Sequence, residues 1–316
     1  MRKFYVKKHM GNIMMESYTK KLIVSCGDFL TTSGIITCLE FDGNSFHLIK
    51  EIEINHPIPE IAVKGKGITG MCRGKNGNIW MAFSNVIVSV ELDSGEIVEI
   101  ITDDRFNDLH DLKMVHGKLV AVNSGNESID TIDVLDKSIK RFDLLGSDMR
   151  RKTPEVSNNS NTKPHLHHVS TITYNHKNEM ILGFFKQQRI INVDNWEQIS
   201  TMMPSPIHDL QFHNEVLHWT TICGKIFSFS GQTSIFDLSK CSVEIGWTRG
   251  LLVSDDSFII GTTAIRDSNS NFFNVLTNTN VKDVGAKVTW IPKESNRDPI
   301  HYIFNNSQTR KVYCII

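Results

Sequence analysis

Leu109-His-Asp-Leu112 and Ile207-His-Asp-Leu210 are one four-residue phrase written twice, and three further segments fit its frame: Ile68-Thr-Gly-Met71, Leu166-His-His-Val169 and Thr248-Arg-Gly-Leu251. The second residues of these units are Thr69, His110, His167, His208 and Arg249, separated by 41, 57, 41 and 41 residues. The single long interval holds Gly146 to Lys163, a stretch rich in Ser, Asn, Lys and Thr that reads as an inserted loop. A second short apolar run follows each phrase and ends in small polar residues, as in Asn123-Ser124, Thr220-Thr221 and Thr262-Thr263. Two more runs precede the next phrase. Four short strands repeated about every 41 residues is the period of a propeller blade.

The rest of the chain agrees with an all-β reading. Helical periodicity is nearly absent, and β-rich runs such as Leu22–Cys26, Gly34–Phe41, Asn78–Phe83 and Val86–Leu92 alternate with turn signals such as Lys75-Asn-Gly-Asn78 and His116-Gly117. Chain length divided by the period, after setting the loop aside, predicts a single domain over 1–316 with seven four-stranded blades, six or eight being the alternatives. The last three runs, Val288–Ile291, Ile300–Phe304 and Lys311–Ile316, lack a fourth partner, which Lys3–Lys7 would supply to close the ring. A β-sandwich is the runner-up and accounts poorly for the period.

Composition narrows the partners. Among 316 residues, 34 Lys+Arg against 35 Asp+Glu leave a net charge of −1, so no basic footprint for nucleic acid or an anionic membrane is expected. No apolar stretch is long enough to span a bilayer, and the N-terminus lacks the apolar core of a secretory leader. The six cysteines are dispersed without a C-x-x-C pair, which fits free thiols in a reducing, cytoplasmic setting.

In a propeller the first strand of each blade lines the central channel, so residues at one register ring the axis at one height. His110, His167 and His208 share that register in successive units. Three neutral imidazoles around one point suit a divalent transition metal (Fe, Zn, Mn or Cu) with a position left open for substrate. His165 and His218 are further imidazoles suited to general acid or base work, and Arg249 has the fork that grips a carboxylate, sulfate or phosphate. Asp111 and Asp209, by strand alternation, point toward the neighbouring blade. The expected function is therefore a metal-dependent enzyme acting on a small anionic molecule at the channel mouth. The alternative is a non-catalytic propeller that binds a protein or glycan, with the histidines serving structure. The inserted loop, Gly146 to Lys163, runs into the neck through Lys163-Pro164 and would cross the mouth as a lid.

The run Gly246-Trp-Thr-Arg-Gly-Leu251 followed by Ile259-Ile-Gly261, with Leu109–Leu112 and Val122-Asn-Ser-Gly125, resembles an uncharacterised bacterial domain-of-unknown-function family (the DUF4915 type) over roughly residues 20 to 300. That resemblance implies a propeller and no activity. Gly67-Ile-Thr-Gly70 with Gly77-Asn-Ile-Trp80 is similar to the blade motif of streptogramin-lyase-like propellers, which implies a metal ion and a histidine at the mouth promoting elimination. The channel histidines also resemble those of the iron-binding propellers of carotenoid-cleaving oxygenases, whose four-histidine set departs here at Arg249.

Overall fold

The computed structural model describes residues 19–147, 165–200, 205–229, 236–238, 246–265, 284–294 and 297–316, with 149, 155, 157, 270–271, 273–275 and 280–281. The chain forms β1 (Lys20–Asp28), β2 (Gly34–Phe41) and β3 (Phe46–Ile54), then β4 (Gly70–Arg73), β5 (Ile79–Ala82), β6 (Ile87–Val90) and β7 (Ile97–Ile101). Next come β8 (Leu109–Val115), β9 (Lys118–Asn123), β10 (Ser128–Asp133) and β11 (Ile139–Asp143), followed by β12 (Val169–Tyr174), β13 (Met180–Phe184), β14 (Arg189–Asn192) and β15 (Glu197–Gln198). The last elements are β16 (Ile207–His213), β17 (Val216–Thr221), β18 (Lys225–Ser228), β19 (Phe236–Asp237), β20 (Trp247–Val253), β21 (Ser257–Thr263), β22 (Lys287–Pro292), β23 (Ile300–Ile303) and β24 (Arg310–Ile315).

These strands make six four-stranded antiparallel sheets, not the seven expected. Five are consecutive meanders; the sixth has the order β24-β1-β2-β3. The inner strands β4, β8, β12, β16, β20 and β24 pack against one another in that order, and β24 returns to β4. The molecule is thus a six-bladed propeller. The overcount arose because β21 ends at Thr263 and its partner β22 begins only at Lys287, an interval that a constant period does not allow for.

Closure joins the chain's ends, by a different division of strands from the one expected. Val288–Ile291 and Ile300–Phe304 complete the β20 blade, whereas Arg310–Ile315 is the inner strand of the blade that β1 begins, with Val24 opposite Ile315 and Asp28 opposite Arg310. Arg310 Nη2 reaches Glu51 Oε1 in β3 at 3.1 Å across this blade. Lys3–Lys7 lies outside the described residues, as does most of the inserted loop over 146–163.

Burial follows the same geometry. Successive residues of a strand point to opposite sheet faces, and both faces of a blade are covered by its neighbours, so the strands are almost continuously apolar. In β1, Leu22, Val24 and Cys26 pack against the β20–β23 blade, while Ile23 faces the β4–β7 blade. Six such apolar clusters lie between blades, one for each neighbouring pair.

Candidate functional site

The inner strands begin at one end of the ring, here termed the mouth, and four of them, β8, β12, β16 and β20, carry a register shift near their starts: between Leu109 and Leu112, Val169 and Thr171, Ile207 and Asp209, and Arg249 and Leu251; the pairing of β24 is irregular where it meets Ser25 and Cys26. A bulge of this kind turns one side chain out of the ladder. Side-chain hydrogen bonds fix the equivalences. Thr69 Oγ1 donates to the Leu109 carbonyl of the next blade at 2.5 Å, and Ser170 Oγ donates to the Ile207 carbonyl of its next blade at 3.0 Å. Ser170 is therefore the counterpart of Thr69. The frame of the third phrase along the chain is Val169-Ser-Thr-Ile172, three residues later than Leu166–Val169.

One position along, the blades are stapled together. Asp111 Oδ2 accepts from Thr171 Oγ1 at 3.0 Å and from the Ile172 N–H at 3.1 Å; Thr171 Oγ1 accepts from the Leu210 N–H at 3.3 Å; Asp209 Oδ2 accepts from the Gly250 N–H at 2.8 Å. Gly250 sits at φ +71°, a left-handed conformation that glycine adopts without the cost a side chain would add. Asp111 and Asp209 thus point to the neighbouring blade, as alternation predicts.

At the mouth, the His110 and His208 rings lie 6.1 Å apart, with His110 and His208 both buried. The third ring against His110 belongs to His168, with centroids at 4.7 Å and an interplanar angle of 65°; His165 lies 4.5 Å from His168. His167 is held elsewhere. Its N–H donates to Glu127 Oε1, its Nδ1 meets the Gln187 amide, and its ring faces Phe184. His218 is also apart: it sits on β17 toward the opposite end, against Phe258 and the cavity lined by Phe236, Pro292 and Lys293.

Asp108, absent from the sequence reading, is the anion of the group. Its Oδ1 pairs with Lys66 Nζ at 2.6 Å and its Oδ2 lies 3.0 Å from His165 Nε2 and 3.5 Å from His110 Nε2. The last distance exceeds an ordinary hydrogen bond, and neither ring nitrogen of His110 has a hydrogen-bond partner among the described residues. His165 Nδ1 lies 3.1 Å from the Ser124 carbonyl, so a neutral His165 has one proton to share between Ser124 and Asp108. Asp108, Glu127 and His168 all take left-handed backbone, at φ +49°, +50° and +53°. Non-glycine residues in that region cost free energy that the surrounding contacts must hold in place.

Burial disfavours the charged form of these imidazoles. Burial drives His110 and His208 below the usual histidine range, Arg249 adding to the effect in both; His168 is pushed well below it by burial and then by His110. Burial takes His165 down to about 4. Desolvation works to raise Asp108, but the Lys66 ammonium at 2.6 Å outweighs it and holds the carboxyl well below the ordinary range.

Arg249 completes the ring of axial positions. Its guanidinium lies 4.8 Å over the Tyr313 ring of β24 and 5.7 Å over Trp247. No carboxylate forms an ion pair with it among the described residues, and its buried Nε has no partner. It lines a mouth cavity of about 260 Å³ with Phe29, Trp247, Thr263, Phe273 and Lys311. A larger cavity, about 540 Å³, opens among the hairpins of the opposite end beside Lys75, Asn78, His116 and Lys118, away from the imidazoles.

No group of three or more His, Cys, Asp or Glu among the described residues is placed to hold a metal ion. The reason is visible in the rings: His110 meets His168 edge to face, and two cations, Lys66 and Arg249, act on the same point. The residues sequence reasoning missed are Lys66, Asp108, Glu127 and Tyr313. The only advance signal was Asn107-Asp108 immediately before the Leu109 phrase, two residues that tolerate left-handed backbone.

No family model matches the chain, so the domain-of-unknown-function resemblance gains no support, and no curated protein matches it either. Solved structures do. A protein of unknown function from Bacteroides caccae superposes with a TM-score of 0.61 at 11% identity, covering 94% of this chain and 98% of that one. A protein of the nidogen/laminin complex gives 0.57 at 11% identity over 94% and 97%. A streptogramin B lyase gives 0.51 at 12% identity over 77% and 94%. No helix among the described residues is long and apolar enough to cross a membrane. At these identities the likeness shows a propeller fold, in a chain that shares its architecture with a lyase and with a member of a protein complex alike.

Proposed function

We propose that the mouth binds a small anionic molecule and performs proton transfer on it without a metal ion. The observation that carries this reading is the set of buried polar atoms at the mouth with no hydrogen-bond partner among the described residues: His110 Nδ1 and Nε2, His208 Nε2 and Arg249 Nε. Each such atom costs about 1–3 kcal/mol when left unsatisfied, and four around one point describe a surface built for a polar guest. Arg249 supplies the charge that holds an anion. His110, neutral because it is buried, supplies the base, and Asp108 beside it stabilises the imidazolium that forms. His208 is oriented by Asp209 through a 3.0 Å contact at Nδ1, leaving Nε2 toward the guest. A streptogramin-lyase-like reaction through a histidine and a metal fits less well, because the rings are packed against one another instead of aimed at a shared ion.

Titration calorimetry with a carboxylate panel tests the reading, run beside elemental analysis of protein purified without chelator. The expected result is carboxylate binding lost on Arg249→Gln and no stoichiometric metal. Stoichiometric metal that disappears on His110→Ala would restore the metal-dependent enzyme; binding unaffected by Arg249→Gln would remove the anion site.

A further inference from the structure

The mouth cavity differs from the axis in its walls. Phe29 enters from the end of β1, Trp247 from β20 and Phe273 from the 264–286 connection, and the three surround the 260 Å³ space that Arg249 borders. Trp247 is itself held: its ring stacks on Phe185 at 6.0 Å and 6° and lies 6.0 Å from Phe273. Aromatic walls fixed in this way offer flat faces at defined positions, and aromatic pairs favour offset or edge-on contact over loose apolar packing.

The two cations of the cavity are not equivalent. Lys311 Nζ is engaged by the Gly65 carbonyl and lies 4.1 Å over the Phe29 ring. Arg249 lies over the Tyr313 ring, forms no ion pair with a carboxylate among the described residues, and has no hydrogen-bond partner among them at its buried Nε. One available guanidinium matches one carboxylate, bidentate and in plane. The volume is slightly below the ~300 Å³ at which drug-sized sites begin, which suits one ring with a short acidic arm. Neither His208 nor His110 lines this cavity, but both feel the Arg249 charge, so the acidic arm held by Arg249 is the end of such a ligand nearer to them.

Resting on the function proposed above, we infer that the ligand is an aromatic carboxylate, its carboxylate on the Arg249 fork and its ring among Phe29, Trp247 and Phe273. The geometry that carries this is a guanidinium with no ion-pair partner among the described residues, bordering a cavity with three aromatic walls.

The test uses the full chain and four probes: phenylacetate, acetate, benzyl alcohol and phenyl phosphate, with binding read by calorimetry and saturation-transfer NMR. Phenylacetate is expected to bind at least about tenfold more tightly than acetate, which lacks the ring, or benzyl alcohol, which lacks the charge. Arg249→Gln should abolish that advantage over benzyl alcohol, and Trp247→Leu the advantage over acetate. If acetate equals phenylacetate while both depend on Arg249, the aromatic class is wrong and the anion site stands. If no probe depends on Arg249, both readings fall. Phenyl phosphate binding more tightly than phenylacetate replaces the carboxylate with a phosphate and overturns the class. Should Trp247→Leu unfold, saturation transfer in the wild-type protein decides: strong transfer to the phenylacetate ring protons supports the ring's placement, and transfer confined to the methylene contradicts it.

Discussion

The two ends of the propeller use the same residue types to opposite effect. At the hairpin end, His213 pairs with Asp255 at 2.8 Å and His47 with Asp42 at 2.9 Å, both carboxylates open to water. Both pairs are solvated, and the hydrogen bond from His213 lowers the Asp255 pKa without any burial. At the mouth, His110, His165, His208 and Asp108 are buried, the imidazoles are driven neutral, and four polar atoms around the axis lack partners. The difference lies in water. Solvated charge pairs contribute little to stability, whereas desolvated groups gain or lose strongly with each partner.

The contrast is tested most severely by deleting one carboxylate at each end. Asp111→Ala removes the acceptor that joins Thr171 and the Ile172 N–H to the preceding blade, and it should cost about 2–3 kcal/mol in urea unfolding. Asp255→Ala should leave the midpoint where it is. Equal losses from the two changes would erase the distinction between the ends.

Acid should act through the mouth first. A buried neutral imidazole has a lower pKa folded than unfolded, so the unfolded chain binds more protons below about 6.5. Stability from this source is full above that value and is lost as pH falls toward about 4, the position of His165. His218, also lowered to about 4 by burial, adds in the same direction. Asp108, held low, adds a further loss at still lower pH. Thermal midpoints should therefore drop between pH 6.5 and 4; a flat profile across that window would mean the rings are charged when folded.

The register supplies a third comparison, inside one segment. His168 touches His110 and His165, whereas His167 is turned to Gln187 and Phe184. His168→Ala should weaken phenylacetate binding several-fold, and His167→Ala should change it less than twofold, as read by calorimetry. The smallest expected effect is that of chelation: incubation with a strong chelator should shift neither the thermal midpoint nor carboxylate binding, and a drop in either would bring the metal back.

The propeller was legible because its period is written in apolar alternation and turn residues, which local physics alone dictates. His110, His208 and Arg249 could be placed for the same reason: their phrases recur at a constant 41-residue spacing. The blade number was not legible, since residues 264–286 occupy as much chain as strands would and join β21 to β22 instead. His167 was read into the ring because Leu166-His-His-Val169 mimics the phrase by letter; the frame is set by Ser170 bonding to Ile207, a contact between blades. Asp108 and Lys66 are likewise 42 positions apart and meet only once blades close into a ring.

Long-range proton–nitrogen NMR of the imidazole rings tests the central claim most directly. At pH 6, the rings of His110, His168 and His208 should be neutral, and they should shift on addition of acetate or phenylacetate while those of His47 and His213 do not respond to either ligand. Cationic rings at the three mouth positions, or ligand shifts confined to the hairpin end, would contradict it.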